Sequence, residues 1–261
     1  MVGCGAIGSA LLRLLQTRPQ IQLQAVVVRP GREAEVHALL RSLSLDAAVV
    51  TQVPADGLDL LLEVGGHSAV AEHAVPALQR GLSCVLASVG ALASAPLLAA
   101  VQTAAQQGGA QAHLIPGAVG GIDALAAARL GGLDEVIYTG RKAPSAWRGT
   151  PAEALVALDQ LDSPALIFEG TAREAATAYP KNANVTATIA LAGLGFDATR
   201  LRLFADPGVR QNVHRLQARG AFGELDVTVS AHPLSSNPKT SALTVYSALR
   251  ALMQRVDVLS L

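Results

Sequence analysis

The sequence predicts an α/β fold: a Rossmann-type parallel-sheet domain plus a second α+β domain with a largely antiparallel sheet. Three observations predict it. Residues 3–8 read Gly-Cys-Gly-Ala-Ile-Gly and fit the G-x-G-x-x-G motif of a dinucleotide-binding turn. Strand patterns alternate with helical patterns over residues 1–112, which favours a parallel sheet. Over residues 113–236, several segments alternate apolar and polar residues between turns, as antiparallel strands do.

Each glycine of the motif has a physical role in a dinucleotide site. Gly3 turns the chain sharply off a strand, Gly5 lets a pyrophosphate approach the backbone, and Gly8 lets the next helix pack closely on the sheet. The first N–H groups of that helix, at Ala6 and Ile7, then face the phosphates. A glycine-rich turn before an ordinary helix is the alternative, but the spacing to a second apolar strand favours nucleotide binding.

The other elements of the first domain follow from apolar runs and the residues that end them. Only two residues precede the motif, so we expect either an unusually short first strand or a native start further upstream. Parallel sheets bind ligands at the carboxyl ends of their strands, where Gly65, Gly66, Ser88 and Val89 follow two predicted strands. The expected elements are strands at 23–28, 46–53, 59–64, 83–87 and 112–115, and helices at 32–41, 96–107 and from Ser68, as N-cap, to Gly81.

The second predicted strand ends in basic residues rather than acidic ones. NAD-specific sites usually place Asp or Glu there for the ribose hydroxyls, whereas this chain has Arg29 and Arg32. Arginines can bind the 2′-phosphate of NADP, and two solvated loop arginines are an equally good interpretation. We therefore expect NAD or NADP as cofactor, with NADP bound at least comparably to NAD.

Composition narrows the class of protein. The 261 residues are 51% hydrophobic and 15% charged, which allows a large core. Lys plus Arg and Asp plus Glu number 20 each without a basic cluster, which argues against a nucleic-acid partner. No apolar run reaches membrane-spanning length, and we expect no signal peptide and no membrane partner. Cys4 and Cys84 indicate buried free thiols in a reducing cytoplasm.

The second domain is expected to span residues 113–236 and to serve substrate binding, catalysis and dimerisation. Asn237 and Pro238 are then expected to start a long closing helix as N-cap and first helical residue, so that 237–261 completes the first domain. Within the second domain we expect a strand at 135–139 running into residues 140–142, a helix at 184–191, and strands at 201–204, 213–218 and 225–230.

The sequence closely resembles the L-aspartate dehydrogenase family over nearly its whole length. The resemblance rests on the glycine motif and on the stretches 65–67, 88–92, 115–123, 134–142, 179–195, 212–223 and 237–241. It implies an enzyme that deaminates L-aspartate oxidatively to oxaloacetate and ammonia through iminoaspartate, reversibly and with NAD or NADP, with a link to NAD biosynthesis. It also implies that His214 is the active-site histidine and that Ala118 and Asn184 contact the cofactor.

The residue chemistry can be argued beside the resemblance. Hydride removal from an amino acid leaves an imine, to which water must add before ammonia leaves. A group that titrates near neutrality suits these proton transfers, and histidine is the natural choice. From its own residues alone, His214 is better explained as a satisfied strand histidine, and only the resemblance favours catalysis. Asn184 could donate to the nicotinamide carboxamide or cap a helix, and both roles can hold together. No histidine or cysteine pair has metal-ligand spacing, so we predict no metal.

Aspartate carries two carboxylates, so its pocket needs cations or strong donors. The candidates are Arg141, Lys142, Lys181 and Lys239, each at a loop or element end. For any single one a solvated surface charge is the better interpretation, but we expect at least one of the four to face substrate. Other two-domain reductases, resembling dihydrodipicolinate reductase or homoserine dehydrogenase, and a non-catalytic NAD(P)-binding sensor are competing interpretations. A homodimer is expected, because the second domain's strands could extend a sheet across a two-fold axis.

Overall fold

The chain forms two compact units in a computed structural model. The structure describes residues 1–235 and 237–259, without the side chains of Lys181, Pro238 and Lys239. Unit 1 comprises Met1–Ile115 and Thr244–Leu261, and unit 2 comprises Pro116–Leu243.

Unit 1 is built on a parallel sheet, as predicted. Its strands are β1 (Ala25–Val27), β2 (Ala48–Val50), β3 (Leu61–Glu63), β4 (Cys84–Leu86) and β5 (Ala112–Leu114). Strand β1 pairs with β2, and β3, β4 and β5 pair in that order, all in parallel. Val2 joins the two groups through parallel bridges to Val27 and Glu63. The residue just before the glycine motif therefore occupies the central strand position, and this strand is very short in the structure.

Helices of unit 1 lie close to where the apolar patterns predict them. The first helix buries Leu11, Leu12 and Leu15 on one face. Ser68 was expected as a cap, but the helical segment begins at His67 and its N-cap is Gly66, whose φ of +102° favours glycine. The helices are α1 (Ala6–Leu15), α2 (Glu33–Ser42), α3 (His67–Ala69), α4 (Val75–Gln79) and α5 (Ala95–Gly108), with a π-helical turn at Val70–Ala74 and a 3₁₀ turn at Val89–Ala93.

Unit 2 contains a mixed, largely antiparallel sheet, which confirms the predicted fold class. Its strands are β6 (Leu133–Lys142), β7 (Ala165–Thr171), β8 (Arg200–Ala205), β9 (Asn212–Gly220) and β10 (Gly223–Ala231). Their order is β10-β9-β6-β8-β7, and all pairs are antiparallel except β6 with β8. Strand β6 continues through Lys142, so residues 140–142 lie in the sheet rather than after it.

The described part of unit 2 also contains α-helices α6 (Ile122–Gly131), α7 (Ala172–Ala178) and α8 (Ala183–Ala192), and 3₁₀ turns at Pro144–Trp147, Pro151–Ala154, Leu158–Gln160 and Pro180–Asn182. Only α8 was predicted. The start of α7 is stabilised by a capping box, in which Thr171 and Glu174 each bond the other's backbone N–H. The side chains of Thr186 and Thr188, together with Ile189, are buried, so α8 is covered on more than one face.

The end of unit 2 corrects one sequence prediction. Residues Asn237–Ser241 form strand β12, which pairs with β11 (Pro233–Leu234), and helix α9 begins only at Ala242 and ends at Met253. Asn237 is thus not a helix cap; its side-chain amide donates to Thr240 Oγ1 at 3.1 Å. Pairing with the preceding strand outweighs the helix-start signal of an Asn-Pro pair. Among the described residues, the helices are too short or too polar to span a membrane.

Candidate active site

A cavity of about 310 Å³ lies at the carboxyl ends of the strands of unit 1. Four of the predicted cofactor residues line it: Gly3, Gly5, Arg29 and Gly65. Ala6, Ile7 and Gly8 form the first turn of α1, directly after this lining. The G-x-G-x-x-G turn and the start of the helix therefore lie at the same edge of the sheet, as a pyrophosphate site requires.

The glycines of the motif fit a dinucleotide for different reasons. A Cβ built on Gly3 would collide with the Gly65 backbone, and one on Gly8 would lie 2.6 Å from the Gly3 carbonyl oxygen. A Cβ on Gly5 would meet no atom within 4 Å, because Gly5 faces the open cavity. No side chain caps α1, so its first backbone N–H groups remain available to an anion. Gly3 and Gly8 serve packing, whereas the space over Gly5 suits the pyrophosphate.

The two arginines after β1 have different surroundings. Arg32 forms a two-pronged ion pair with Glu35, with N–O distances of 2.5 and 2.7 Å. Arg29 lines the same cavity and is exposed, and its guanidinium has no hydrogen-bond or ion-pair partner among the described residues. Of the two, Arg29 is the more available to a 2′-phosphate.

Two of the remaining predicted cofactor residues of unit 1, Gly66 and Ser88, are held by a carboxylate that sequence reasoning did not select. Glu63, at the end of β3, is 0% exposed and accepts hydrogen bonds from the backbone of Gly65, Gly66 and Ser88 and from the Ser88 hydroxyl. Val89 is buried next to Ser88. Burial raises the pKa of Glu63, although the four hydrogen bonds favour its charged form.

Unit 2 brings His214 and Lys142 to one face of its sheet. Side chains alternate along a strand, so Tyr138, Gly140 and Lys142 of β6 share a face. His214 of β9 lies directly opposite Gly140 and therefore points to the same side. Asn212, two residues before His214, also shares it. Strand pairing thus gathers these polar side chains without any loop.

His214 is 4% exposed and is held by Tyr138. The Tyr138 hydroxyl and His214 Nδ1 are 2.7 Å apart, and the two rings lie nearly parallel. Gly140 makes this contact possible, because a Cβ there would lie 2.7 Å from the Tyr138 hydroxyl. The bond fixes the imidazole ring, and when Nδ1–H donates to the Tyr138 oxygen, Nε2 is the nitrogen that is free to accept a proton.

Burial controls the charge of His214. Removal from water, with a smaller contribution from the positive charge of Lys142, lowers the pKa of His214 to about 4. The imidazole is therefore neutral at pH 7 and can accept a proton. The expectation of a histidine titrating near its ordinary value does not hold in the folded chain, because the ring lies among buried residues. Burial also raises the pKa of Tyr138, which remains a neutral phenol.

Lys142 stands in the wall of a small cavity of about 90 Å³ in unit 2. Its ammonium donates to Asn182 Oδ1 and lies 5.4 Å from the centre of the Trp147 ring. Desolvation lowers the pKa of Lys142 to about 8, so it is mainly cationic at pH 7. No carboxylate among the described residues lies within ion-pair distance of it. Other lining residues are Ala146, Gly149, Thr150, Pro151, Ala178, Tyr179, Pro180 and Asn212.

The other predicted substrate and cofactor residues of unit 2 have separate surroundings. Arg141 points away from Lys142 along β6, pairs with Asp206 at 3.2 Å and lies over the Phe204 ring. Lys181 and Lys239 lie in a 3₁₀ turn and in β12, and their side chains fall outside the described part of the chain. Ala118 is buried and Asn184 lies in the first turn of α8, and their cofactor contacts stay predictions.

Each unit also contributes residues that sequence reasoning did not select: Glu63 beside the cavity of unit 1, and Tyr138, Trp147 and Asn182 around His214 and Lys142 in unit 2. The two-residue spacing of Tyr138, Gly140 and Lys142 indicates that their side chains share a face if the strand continues to residue 142. The predicted strand ends at residue 139, so this relation does not follow from it. Among the described residues, no group of three or more His, Cys, Asp or Glu side chains could hold a metal ion.

Comparison with known proteins links both units to dehydrogenases. The family described as "Aspartate dehydrogenase, C-terminal" matches residues 123–255, and "Homoserine dehydrogenase, NAD binding domain" matches residues 3–114. An L-aspartate dehydrogenase of Cupriavidus necator is 52% identical over 261 residues, which is 100% of this chain and 98% of the relative. An L-aspartate dehydrogenase of Pseudomonas aeruginosa is 50% identical over 262 residues, with the same shares covered.

A solved structure has the same fold. The crystal structure of aspartate dehydrogenase from Thermotoga maritima superimposes with a TM-score of 0.79 and 23% identity, covering 100% of this chain and 97% of that one. The similarity therefore extends over both units in sequence and in fold.

Gly5→Val tests the cofactor cavity of unit 1. The branched side chain fills the space over the backbone, and we expect affinity for NADH and NADPH to fall roughly 10- to 100-fold, the range that overpacking typically costs. Folding should be retained, since nothing lies within 4 Å of the new Cβ. Fluorescence titration with each dinucleotide measures the loss. Gly131→Val, at an equally open glycine of unit 2, is the control. Undiminished binding by Gly5→Val would show that the dinucleotide binds elsewhere.

Proposed function

The chain belongs to the aspartate dehydrogenase family, and on that premise we propose that it catalyses the reversible oxidative deamination of L-aspartate to oxaloacetate and ammonia with NAD or NADP. The observation that carries this proposal for the chain's own residues is that a buried, neutral His214 and the cation Lys142 share one face of the sheet of unit 2. Lys142 has no carboxylate partner among the described residues. A neutral base beside a cation suits an anionic substrate whose reaction needs proton transfer.

Unit 1 is proposed to hold the cofactor through the Gly3–Gly8 turn, the first turn of α1, and the loops that begin at Gly65 and Ser88. When bound, NAD or NADP supplies the hydride acceptor for the Cα of aspartate. Arg29 is proposed to contact the adenosine ribose or its 2′-phosphate, which supports use of both cofactors.

His214 is proposed to carry the protons of the hydrolytic half of the reaction. Water adds to the imine carbon of iminoaspartate, and His214 Nε2 takes the proton that the water loses. The imidazolium returns that proton to the imine nitrogen, which gives a carbinolamine. His214 then takes the hydroxyl proton as the C=O of oxaloacetate forms and delivers it to the amine nitrogen, so that the C–N bond breaks and ammonia leaves. The Tyr138 contact at Nδ1 keeps the ring oriented through these transfers.

Lys142 is proposed to bind a carboxylate of the substrate. Its ammonium lies in the cavity wall with Asn182 beside it, so a carboxylate there gains a charged donor that has no competing anion among the described residues. Asn212 and Thr150 line the same cavity and offer further hydrogen-bonding groups. Arg141 is the weaker candidate, because Asp206 already neutralises it.

A cytoplasmic homodimer is the proposed working form. Strand β10 is at the edge of the five-stranded sheet, and its unpaired backbone groups can extend that sheet into a second copy. The free thiols of Cys4 and Cys84 suit a reducing compartment. Light scattering in solution tests the assembly, and a mass near that of one 26.7 kDa chain would contradict it.

One assay tests the proposed reaction: oxidation of NADH and of NADPH with oxaloacetate, with and without ammonium. We expect turnover that requires ammonium, forms aspartate, and proceeds with both cofactors. Ammonium-independent reduction of oxaloacetate would indicate a different reductase, and cofactor binding without turnover would indicate a sensor. Strong discrimination against NADPH would contradict the role of Arg29.

His214→Asn tests the proton-transfer role. Asparagine retains polarity but cannot carry the proton, so kcat should fall by roughly 10²–10⁴, as for other general acid–base groups. NADH affinity should stay near that of the unchanged protein, because His214 belongs to unit 2. His37→Asn, at an exposed histidine on α2, is the control. A His214→Asn protein with near-normal kcat would remove His214 from the mechanism.

Lys142→Met tests carboxylate binding and its pH dependence. Below pH about 8 Lys142 is charged, and as pH rises through that value the charge is lost, so KM for oxaloacetate should rise in the unchanged protein. Methionine keeps an unbranched stem without charge, and should raise KM at pH 7 by roughly 10- to 100-fold, the value of a charged hydrogen bond. The rise near pH 8 should disappear in this variant. Arg219→Met, at an exposed cation of β9, should change neither KM nor its pH dependence.

A further inference from the structure

Glu63 is a buried acid that no step of the proposed reaction uses. It is the last residue of β3 and is 0% exposed, so it cannot touch a bound molecule without rearrangement. Among the described residues no Lys or Arg lies within ion-pair distance of it. A charged group so placed is costly to bury and is retained only where its hydrogen bonds compensate.

Its two oxygens accept four hydrogen bonds from two separate loops. Oε1 accepts from Gly65 N–H at 2.7 Å, from Gly66 N–H at 3.0 Å and from the Ser88 hydroxyl at 2.8 Å. Oε2 accepts from Ser88 N–H at 2.9 Å. Three of these donors are backbone N–H groups, which cannot accept in return. A carboxylate is the side chain whose two oxygens can both serve as acceptors here.

Both loops belong to the cofactor side of the sheet. Gly65 lines the 310 Å³ cavity and its backbone lies against Gly3, so that a Cβ on Gly3 would collide with it. Ser88 follows β4 and starts the 3₁₀ turn at Val89–Ala93. Glu63 and Ser88 are 25 residues apart in sequence, so the Glu63 carboxylate joins two loops that are distant along the chain.

We propose that Glu63 is a positioning residue for the dinucleotide, which fixes the Gly65–Gly66 loop and the Ser88 turn in their binding arrangement before the cofactor arrives. Binding then needs little further ordering of these loops, and affinity is gained through preorganisation. The proposal rests on the proposed function only in that the cavity of unit 1 binds NAD or NADP. It assigns no proton transfer to Glu63.

Glu63→Gln separates this role from simple space filling. The amide has nearly the same shape, and its carbonyl oxygen can still accept from Gly65 and Gly66. Its NH₂ group then faces Ser88 N–H, donor against donor, so the Ser88 turn loses its backbone bond to residue 63 and keeps only the bond from its hydroxyl. We expect the dissociation constant for NADH and NADPH to rise about 10- to 100-fold, as for the loss of a charged hydrogen bond. In an active enzyme, KM for the cofactor should rise while KM for oxaloacetate stays the same.

The measurement is fluorescence or calorimetric titration with NADH or NADPH alone, beside a thermal melt of each protein. It does not depend on turnover, so a protein without aspartate activity still reports on Glu63. Val85→Ala is the matched control, because Val85 is buried in the middle of β4 and its truncation loosens the same sheet without touching either loop. It should lower the melting temperature and leave the dissociation constant unchanged.

Two results would overturn the proposal: a folded Glu63→Gln protein with unchanged affinity, or a Val85→Ala protein that loses as much affinity as Glu63→Gln. If Glu63→Gln does not fold, Ser88→Ala replaces it, since it removes one of the four bonds and keeps the backbone contacts. We expect affinity several-fold weaker with a nearly unchanged melting temperature. Unchanged affinity in Ser88→Ala would then reject the positioning role.

Discussion

The chemistry of unit 2 depends on one strand pairing, in which Gly140 of β6 lies opposite His214 of β9. Glycine leaves room for the Tyr138 hydroxyl to extend along the strand and reach the imidazole. The same alternation sets Lys142 on the face of His214. A register slip of one residue would turn these side chains to opposite faces of the sheet, so the extensive pairing of β6 with β9 preserves the site as well as the fold.

Burial then gives the two titratable groups complementary charge states. Desolvation lowers the pKa of His214 to about 4 and that of Lys142 to about 8, so between these values a neutral imidazole stands beside a cation. The cation also disfavours protonation of the imidazole, and the two effects act in the same direction. Asp206 pairs with Arg141, and no carboxylate in the described part of unit 2 lies within ion-pair distance of Lys142, so an anionic substrate can supply one.

Unit 1 uses backbone rather than side chains for most of its candidate cofactor site. Gly3 and Gly8 are needed for close packing, and Gly5 leaves open space where a pyrophosphate can approach. Such a backbone surface needs external support to keep its shape. Glu63 has the geometry for this role, since its carboxylate is buried under two loops and bonded to both.

The sequence by itself determined the two fold types, the glycine motif and the expected cofactor, because apolar periodicity and short motifs are local properties of the chain. The choice of His214 rested on the family resemblance and not on a local pattern. Which side chains contact one another was decided by the tertiary structure alone. Tyr138 and His214 are 76 residues apart, and Arg141 and Asp206 are 65 apart, so only strand pairing reveals which histidine is held and which cation is neutralised. Likewise Asn237 carried a helix-start signal but joins a strand, because hydrogen bonds to β11 outweigh a local propensity. Burial and register arise from distant segments, and local patterns do not contain them.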